Sequence, residues 1–302
     1  VRALVVGDLA VVVSGRIDRL PVAGENVVLC DGRTFVSGVG SNVALNLRSL
    51  GVQVSVAGGV GRDPFGEAVL AELRGADLDV SNVVRCEVPT STMLLMVELS
   101  GERTMVGTRG ASERFDLDAD RILNATRPGW VHVSGYTLIE PDMEHRCDAL
   151  LLASEARGIP CSVDLEGIAT TGRRTPLERA TVLCSEAEFA AYFGGSGPAS
   201  VAASRTASAP LVMKAGAAGC SLLLAGTVAS VPAGPEPSEP PVDTTGAGDA
   251  FDAAFITATM HGRSPLEACR WGNAAGRMAV RILGPRAALS FDRVRAEAEP
   301  AR

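Results

Sequence analysis

The chain has 302 residues, 46% of them hydrophobic, and a net charge of −7. That length fits one large α/β domain or two smaller ones, with ample apolar content for a packed core. The acidic balance and the absence of a basic run exclude nucleic-acid binding by phosphate neutralisation, and no apolar stretch approaches the roughly 18 residues of a membrane span.

Residues 3–7 (Ala-Leu-Val-Val-Gly) read as a buried strand ending at Gly7-Asp8, the end at which parallel sheets gather ligands. This first apolar run contains Asp8 and Arg16 and lacks a basic leader, so it reads as a strand rather than a signal peptide. Short apolar runs at 10–19, 26–36, 92–99 and 102–107, with Gly101-Glu102 as a hairpin turn, predict a small sheet apart from the main layer. Residues 41–50 are helical in pattern, with Val43, Leu47 and Leu50 on one face. Strand-like runs at 53–58, 130–133, 160–164, 181–184 and 210–214 alternate with helical windows near 63–74, 142–157 and 186–193. Such alternation predicts a parallel sheet with helices on both faces. Residues 219–224 and 227–231 form a closing hairpin, and the five prolines between Val231 and Pro241 mark a stiff surface loop rather than an interdomain linker. A helix from about Pro265 carries Leu266, Cys269, Asn273, Gly276, Val280 and Leu283 at spacings of three and four. The seven cysteines contain no CxxC pair and read as core residues of a reducing, cytoplasmic protein. The three histidines form no HxxxH pair, so no zinc site is expected.

The most informative run is Asp243-Thr244-Thr245-Gly246-Ala247-Gly248-Asp249-Ala250-Phe251. Small residues leave the backbone uncovered, so N–H groups of Gly246, Ala247 and Gly248 can converge on an anion at a helix N-terminus. Asp249, in the first turn, is placed to take a proton from an attacking hydroxyl. Phosphoryl transfer needs both parts. Helix capping explains one Thr and one Asp, but not two glycines around a single residue. Lys214, the only lysine, ends a strand beside Ala215-Gly216-Ala217-Ala218-Gly219, a setting for a phosphate contact or for an exposed lysine.

With Gly7-Asp8, Gly38-Val39-Gly40-Ser41-Asn42-Val43-Ala44, Leu50-Gly51 and Gly59-Val60-Gly61-Arg62-Asp63-Pro64-Phe65-Gly66, the run at 243–251 resembles the ribokinase-like, or PfkB, carbohydrate kinases. The likeness runs from residue 7 to about 284. It implies a ribokinase-like three-layer αβα fold over residues 1–302, with a central mostly parallel sheet. Strands at approximately 10–36 and 88–110 would form an inserted lid. The activity implied is ATP-dependent phosphorylation of a hydroxyl on a small sugar or sugar acid, or alternatively a nucleoside.

Under that resemblance Asp8, Gly38, Gly40 and Asn42 bind the sugar, although Asp8 and Asn42 also suit capping of adjacent turns. Ser37 departs from the family's glycine pair. Arg109 meets an acidic substrate or is solvated. Lys214, Gly216, Gly219, Thr244 and Asn273 fall at the nucleotide, with a structural, hydrogen-bonded Asn273 equally open. Glu188 positions Mg2+, although Ser185 stands where the family has Asn. Asp243 and Thr245 border a K+ site closed by backbone around Gly284. A homodimer through the lid is expected, since its edges and faces need cover.

Other classes fit less well. Gly38-x-Gly40 and Gly59-x-Gly61 lack the third glycine and acidic partner of a dinucleotide fingerprint. No Gly-Lys-Ser/Thr P-loop occurs, and Gly194-Gly195-Ser196-Gly197 is followed by Pro198, so no GxSxG elbow exists. A non-catalytic ligand-binding protein on a kinase scaffold is the remaining alternative, against which Asp249 and both glycines stand.

Overall fold

The structure, a computed structural model, describes residues 1–99, 103–168, 177–204, 209–235, 240–282, 284–285 and 289–299. The predicted Gly101-Glu102 turn, Leu283 and residues 236–239 of the proline-rich stretch lie outside these. In chain order the elements are β1 (Arg2–Val6), β2 (Ala10–Ile17), β3 (Cys30–Ser37), α1 (Val39–Ser49), β4 (Gln53–Gly61), α2 (Pro64–Gly75) and β5 (Asp79–Cys86). Next come β6 (Ser91–Glu98), β7 (Arg103–Thr108), α3 (Ala119–Thr126), β8 (Trp130–Val133), α4 (Pro141–Ala156) and β9 (Cys161–Asp164). The C-terminal part holds β10 (Thr181–Ser185), α5 (Glu186–Tyr192), α6 (Pro198–Ser204), β11 (Leu211–Lys214), β12 (Cys220–Leu224) and β13 (Thr227–Val231). It closes with α7 (Ala247–Met260), α8 (Pro265–Ala279) and α9 (Phe291–Ala298).

Two sheets result. The larger has the order β13-β12-β11-β10-β9-β8-β1-β4-β5, with all strands running one way except β12, which pairs antiparallel with β11 and β13. Alternate residues of β1 enter opposite cores. Ala3 and Val5 join a cluster with α1, α2, α7, α8 and α9, whereas Leu4 and Val6 join one with α3, α4, α5 and α6. Helices therefore cover both faces, and the strands read as nearly continuous apolar runs. The smaller sheet has the order β3-β2-β6-β7, with β2 and β6 parallel and the outer pairings antiparallel. It leaves Met105 and Val106 of β7 exposed.

The ribokinase-like layering and the small separate sheet are as expected. β5, α3, α6 and α9 have no counterpart among the expected elements. In α8, Leu266 is 37% exposed rather than on the buried stripe. A capping box of Ser264 and Glu267 with Pro265 at the first position places Leu266 in a surface first turn. The buried face is Cys269, Trp271, Ala275 and their neighbours, wide because α8 packs on both α7 and α9. A Cβ on Gly272 would lie 2.7 Å from the Phe251 ring, so glycine is what lets α7 and α8 approach. Among the described residues no helix is long and apolar enough to cross a membrane.

Candidate active site

From β1 the sheet grows to one side through β4 and β5 and to the other through β8, β9, β10 and β11. The reversal opens a crevice beyond the carboxyl end of β1, where open α/β sheets bind ligands. Gly7-Asp8 follows β1, Ser134 follows β8, Asp164 ends β9, Ser185 ends β10 and Lys214 ends β11. All therefore reach one edge of the sheet.

The side contributed by the N-terminal segments is built by close backbone approach. A Cβ on Gly40 would stand 2.7 Å from the Cα of Gly7. Gly38 has φ 101°, and a Cβ there would sit 2.5 Å from the Asp8 carbonyl oxygen. With α1 pressed this close, Asp8 caps it. One carboxylate oxygen accepts from Val39 N at 3.1 Å, and the other from Gly40 N at 3.3 Å and Ser134 Oγ at 3.0 Å. Asn42, buried on α1, donates from Nδ2 to Asp249 Oδ2 at 2.7 Å. Its Oδ1 is buried without a hydrogen-bond partner. The residues expected at a sugar thus meet the residue expected to act as base.

Asp249 sits in the first turn of α7, whose N-cap Gly246 has φ 76°. A Cβ at Gly246 would lie 2.3 Å from the Pro285 carbonyl oxygen, so only glycine admits this turn. Ala247 N–H turns to the Thr244 carbonyl at 3.3 Å, whereas the N–H groups of Gly246 and Gly248 find no acceptor among the described residues. Gly248 is exposed, and a Cβ there would be 3.5 Å from Lys214 Nζ. Free N–H groups, the helix dipole and an ammonium therefore flank one open position.

Lys214 is neither exposed nor unpaired. Its Nζ lies 3.0 and 3.1 Å from the two oxygens of Asp252, a fully buried carboxylate one turn beyond Asp249. Burial works against this ammonium, but Asp252, Asp164 and Glu188 outweigh it and raise its pKa. Glu188 and Ser185 form a capping box at the start of α5. Ser185 N donates to Glu188 Oε2 at 2.7 Å, and Glu188 N to Ser185 Oγ at 3.2 Å. Serine in place of the expected Asn is therefore a cap that orients Glu188.

Beside Ser134 and Asp252, three residues enter the site that sequence reading did not single out. Asp164, Glu166 and Asp249 each bring a carboxylate oxygen within 4.8 Å of the others. The Glu166 backbone N–H donates to Asp164 Oδ1 at 2.7 Å, fixing the turn that aims it. Burial first, then the Glu166 charge, holds Asp249 well above the usual carboxylate range, while the Asn42 amide opposes the shift. Glu166 is itself pushed up to about 7 by burial and by Glu188. Tyr136, the third, has its phenol pushed up by burial, then by Glu166 and Asp8. Arg109 stacks over the Tyr136 ring at 5.5 Å and pairs with Glu113, so it is held rather than solvated.

The remaining expected residues lie around this centre. Asp243 binds two loops together, accepting from Thr245 N and Gly284 N, both at 2.9 Å. Thr245 Oγ1 also receives Arg103 Nη1 from β7 at 3.0 Å, tying the small sheet to the anion loop. Thr244 is exposed beside it. Gly216, at φ 54°, opens a short 3-10 turn. At Gly219 a Cβ would meet the Val231 carbonyl oxygen at 2.2 Å. Asn273 spends its Nδ2 on the Val231 and Pro232 carbonyls at 3.0 and 3.2 Å, so its amide group fastens α8 to the end of β13.

Comparison with known proteins shows the family. The model of the pfkB family carbohydrate kinases matches residues 2–291. The chain belongs to this family. It is therefore an ATP-dependent phosphotransferase of the sugar or nucleoside kinase kind. It is 30% identical to the fructokinase of Klebsiella pneumoniae over 83% of each chain. It is 29% identical to the ATP-dependent ribose-1-phosphate kinase of Halopiger xanaduensis, over 98% of this chain and 97% of the relative. Arabidopsis thaliana ribokinase, solved with ribose and ATP, superposes with a TM-score of 0.84, 99% of each chain covered and 24% identity, and so shares the fold.

Proposed function

We propose that this kinase transfers the γ-phosphoryl group of ATP to a hydroxyl of a small sugar, with Asp249 as general base and the free N–H groups of Gly246 and Gly248 as the anion hole, Ala247 N–H being turned to the Thr244 carbonyl. The observation that supports this most is the 2.7 Å hydrogen bond between Asn42 and Asp249, which sets the base beside the acceptor cradle of Asp8, Gly38 and Gly40. A base serves best when its pKa approaches the working pH, and burial moves Asp249 in that direction. The open end of α7 and the Lys214 ammonium face the position where negative charge grows on the moving group. Gly216, Gly219, Thr244 and Asn273 are proposed to lie along the rest of the nucleotide.

The oxygen-only donors Asp164 and Glu188 suit a hard cation such as Mg2+, which, when bound, neutralises phosphate charge. Asp243 and Thr245 are proposed to hold K+. Arg103 on Thr245 and the exposed apolar side chains of β7 support the small sheet as a lid, and as the face through which two copies would pair. The chain would then act as one kinase unit with an inserted lid. ADP release across sugars and nucleosides tests the activity. Asp249→Asn should cut turnover about 10²–10⁴-fold while ATP binding persists; wild-type turnover in this variant would remove the base from Asp249.

A further inference from the structure

Several hydrogen-bond acceptors with sites to spare stand around Asp249 and the proposed acceptor cradle. Asp8 has three donors from the protein on its four lone-pair sites. The Asn42 amide, 5% exposed, points its NH2 at Asp249 and leaves its carbonyl oxygen bare. The Glu166 carboxylate lies within 4.8 Å of Asp164 and Asp249, and no hydrogen-bond donor among the described residues is spent on it. The positive groups nearby are already matched. Lys214 is held by both oxygens of Asp252, and Arg109 by Glu113 and the Tyr136 carbonyl. Arg103, on the neutral Thr245 hydroxyl, stands at the anion loop, and no described cation pairs with Glu166.

We propose that Glu166 is a specificity-determining residue of the acceptor pocket: it receives hydrogen bonds from hydroxyl or ammonium groups, and it bars acceptors that carry a carboxylate or phosphate. The substrate class is thus an uncharged or amine-bearing polyol. This rests on the phosphotransfer reading above and narrows it. A bare acceptor set rewards ligands rich in donors, because each unpaired buried oxygen gains a partner. An anionic substituent adds no donor and stands against Glu166 and Asp8 at short range.

The test is ADP release at saturating ATP and Mg2+ with ribose, fructose and inosine as uncharged acceptors, glucosamine as the cationic one, and gluconate and ribose 1-phosphate as anionic ones. The best uncharged or cationic acceptor should exceed either anion in kcat/KM by about tenfold or more. Glu166→Gln, close in shape, should shrink that gap by about tenfold and weaken the preferred acceptor. An anion leading in the unaltered enzyme would overturn the inference while leaving the kinase intact. It would fall equally if Glu166→Gln kept the acceptor order and instead raised the Mg2+ requirement, which would make this residue a metal ligand. No ADP from any acceptor would sink the phosphotransfer reading, and this inference with it.

Discussion

The two halves of the site are built from different materials. Where the N-terminal segments meet, Gly7 lies against Gly40, Gly38 against Asp8, and one carboxylate caps α1. Where the C-terminal segments meet, Asp164, Glu166, Glu188, Asp249 and Asp252 crowd around Lys214. The first half is exact through contact distance and the second through charge. Damage to the first should show as steric strain, and damage to the second as unbalanced burial of charge.

Lys214→Met gives the largest effect expected on folding. It strands Asp252, which has no exposure, and should cost about 3–5 kcal/mol in urea unfolding. The double variant Lys214→Met/Asp252→Leu should recover most of this; equal instability of single and double would show that packing, not charge, is at stake. On the other side, Gly40→Ala should cost about 1–3 kcal/mol, since its Cβ would press within 2.7 Å of Gly7 backbone. It should raise the acceptor KM more than the ATP KM, and a uniform rise in both would blur the division between the halves. Ser185→Ala is expected to be mildest, about 1 kcal/mol through loss of the cap on α5. Ser185→Asn should keep that stability, as Asn is an equally good cap, and a loss there would mean the hydroxyl does more than cap.

Much of the fold was legible because hydrophobic period and turn residues agree over β1, α1, β4 and the β8 to β11 series. β5 was not, since Asp79, Ser81 and Asn82 interrupt its apolar residues along the sheet edge. Nor was α9, whose FDRVRAEA buries only Val294 and Ala298. In the site, the run 243–251 announced itself through local density of Gly, Thr and Asp. Asp164 and Glu166 carry no such local pattern; only their place at the end of an expected strand could have flagged them. Asp252 had one available signal, its spacing of three from Asp249 on a small-residue helix, which puts both on one face. What sequence reading could not supply was pairing. Lys214 was weighed as a phosphate ligand or a solvent-exposed charge, whereas its Asp252 partner depends on how α7 lies over β11.

The Asn42–Asp249 bond joins residues 207 positions apart, α1 to α7. While the chain is being synthesised, Asp8, Gly38, Gly40 and Asn42 emerge long before Asp249. The contact needs α7 docked against α1, so the residues proposed to bind the acceptor and to activate it meet only after most of the chain has been made.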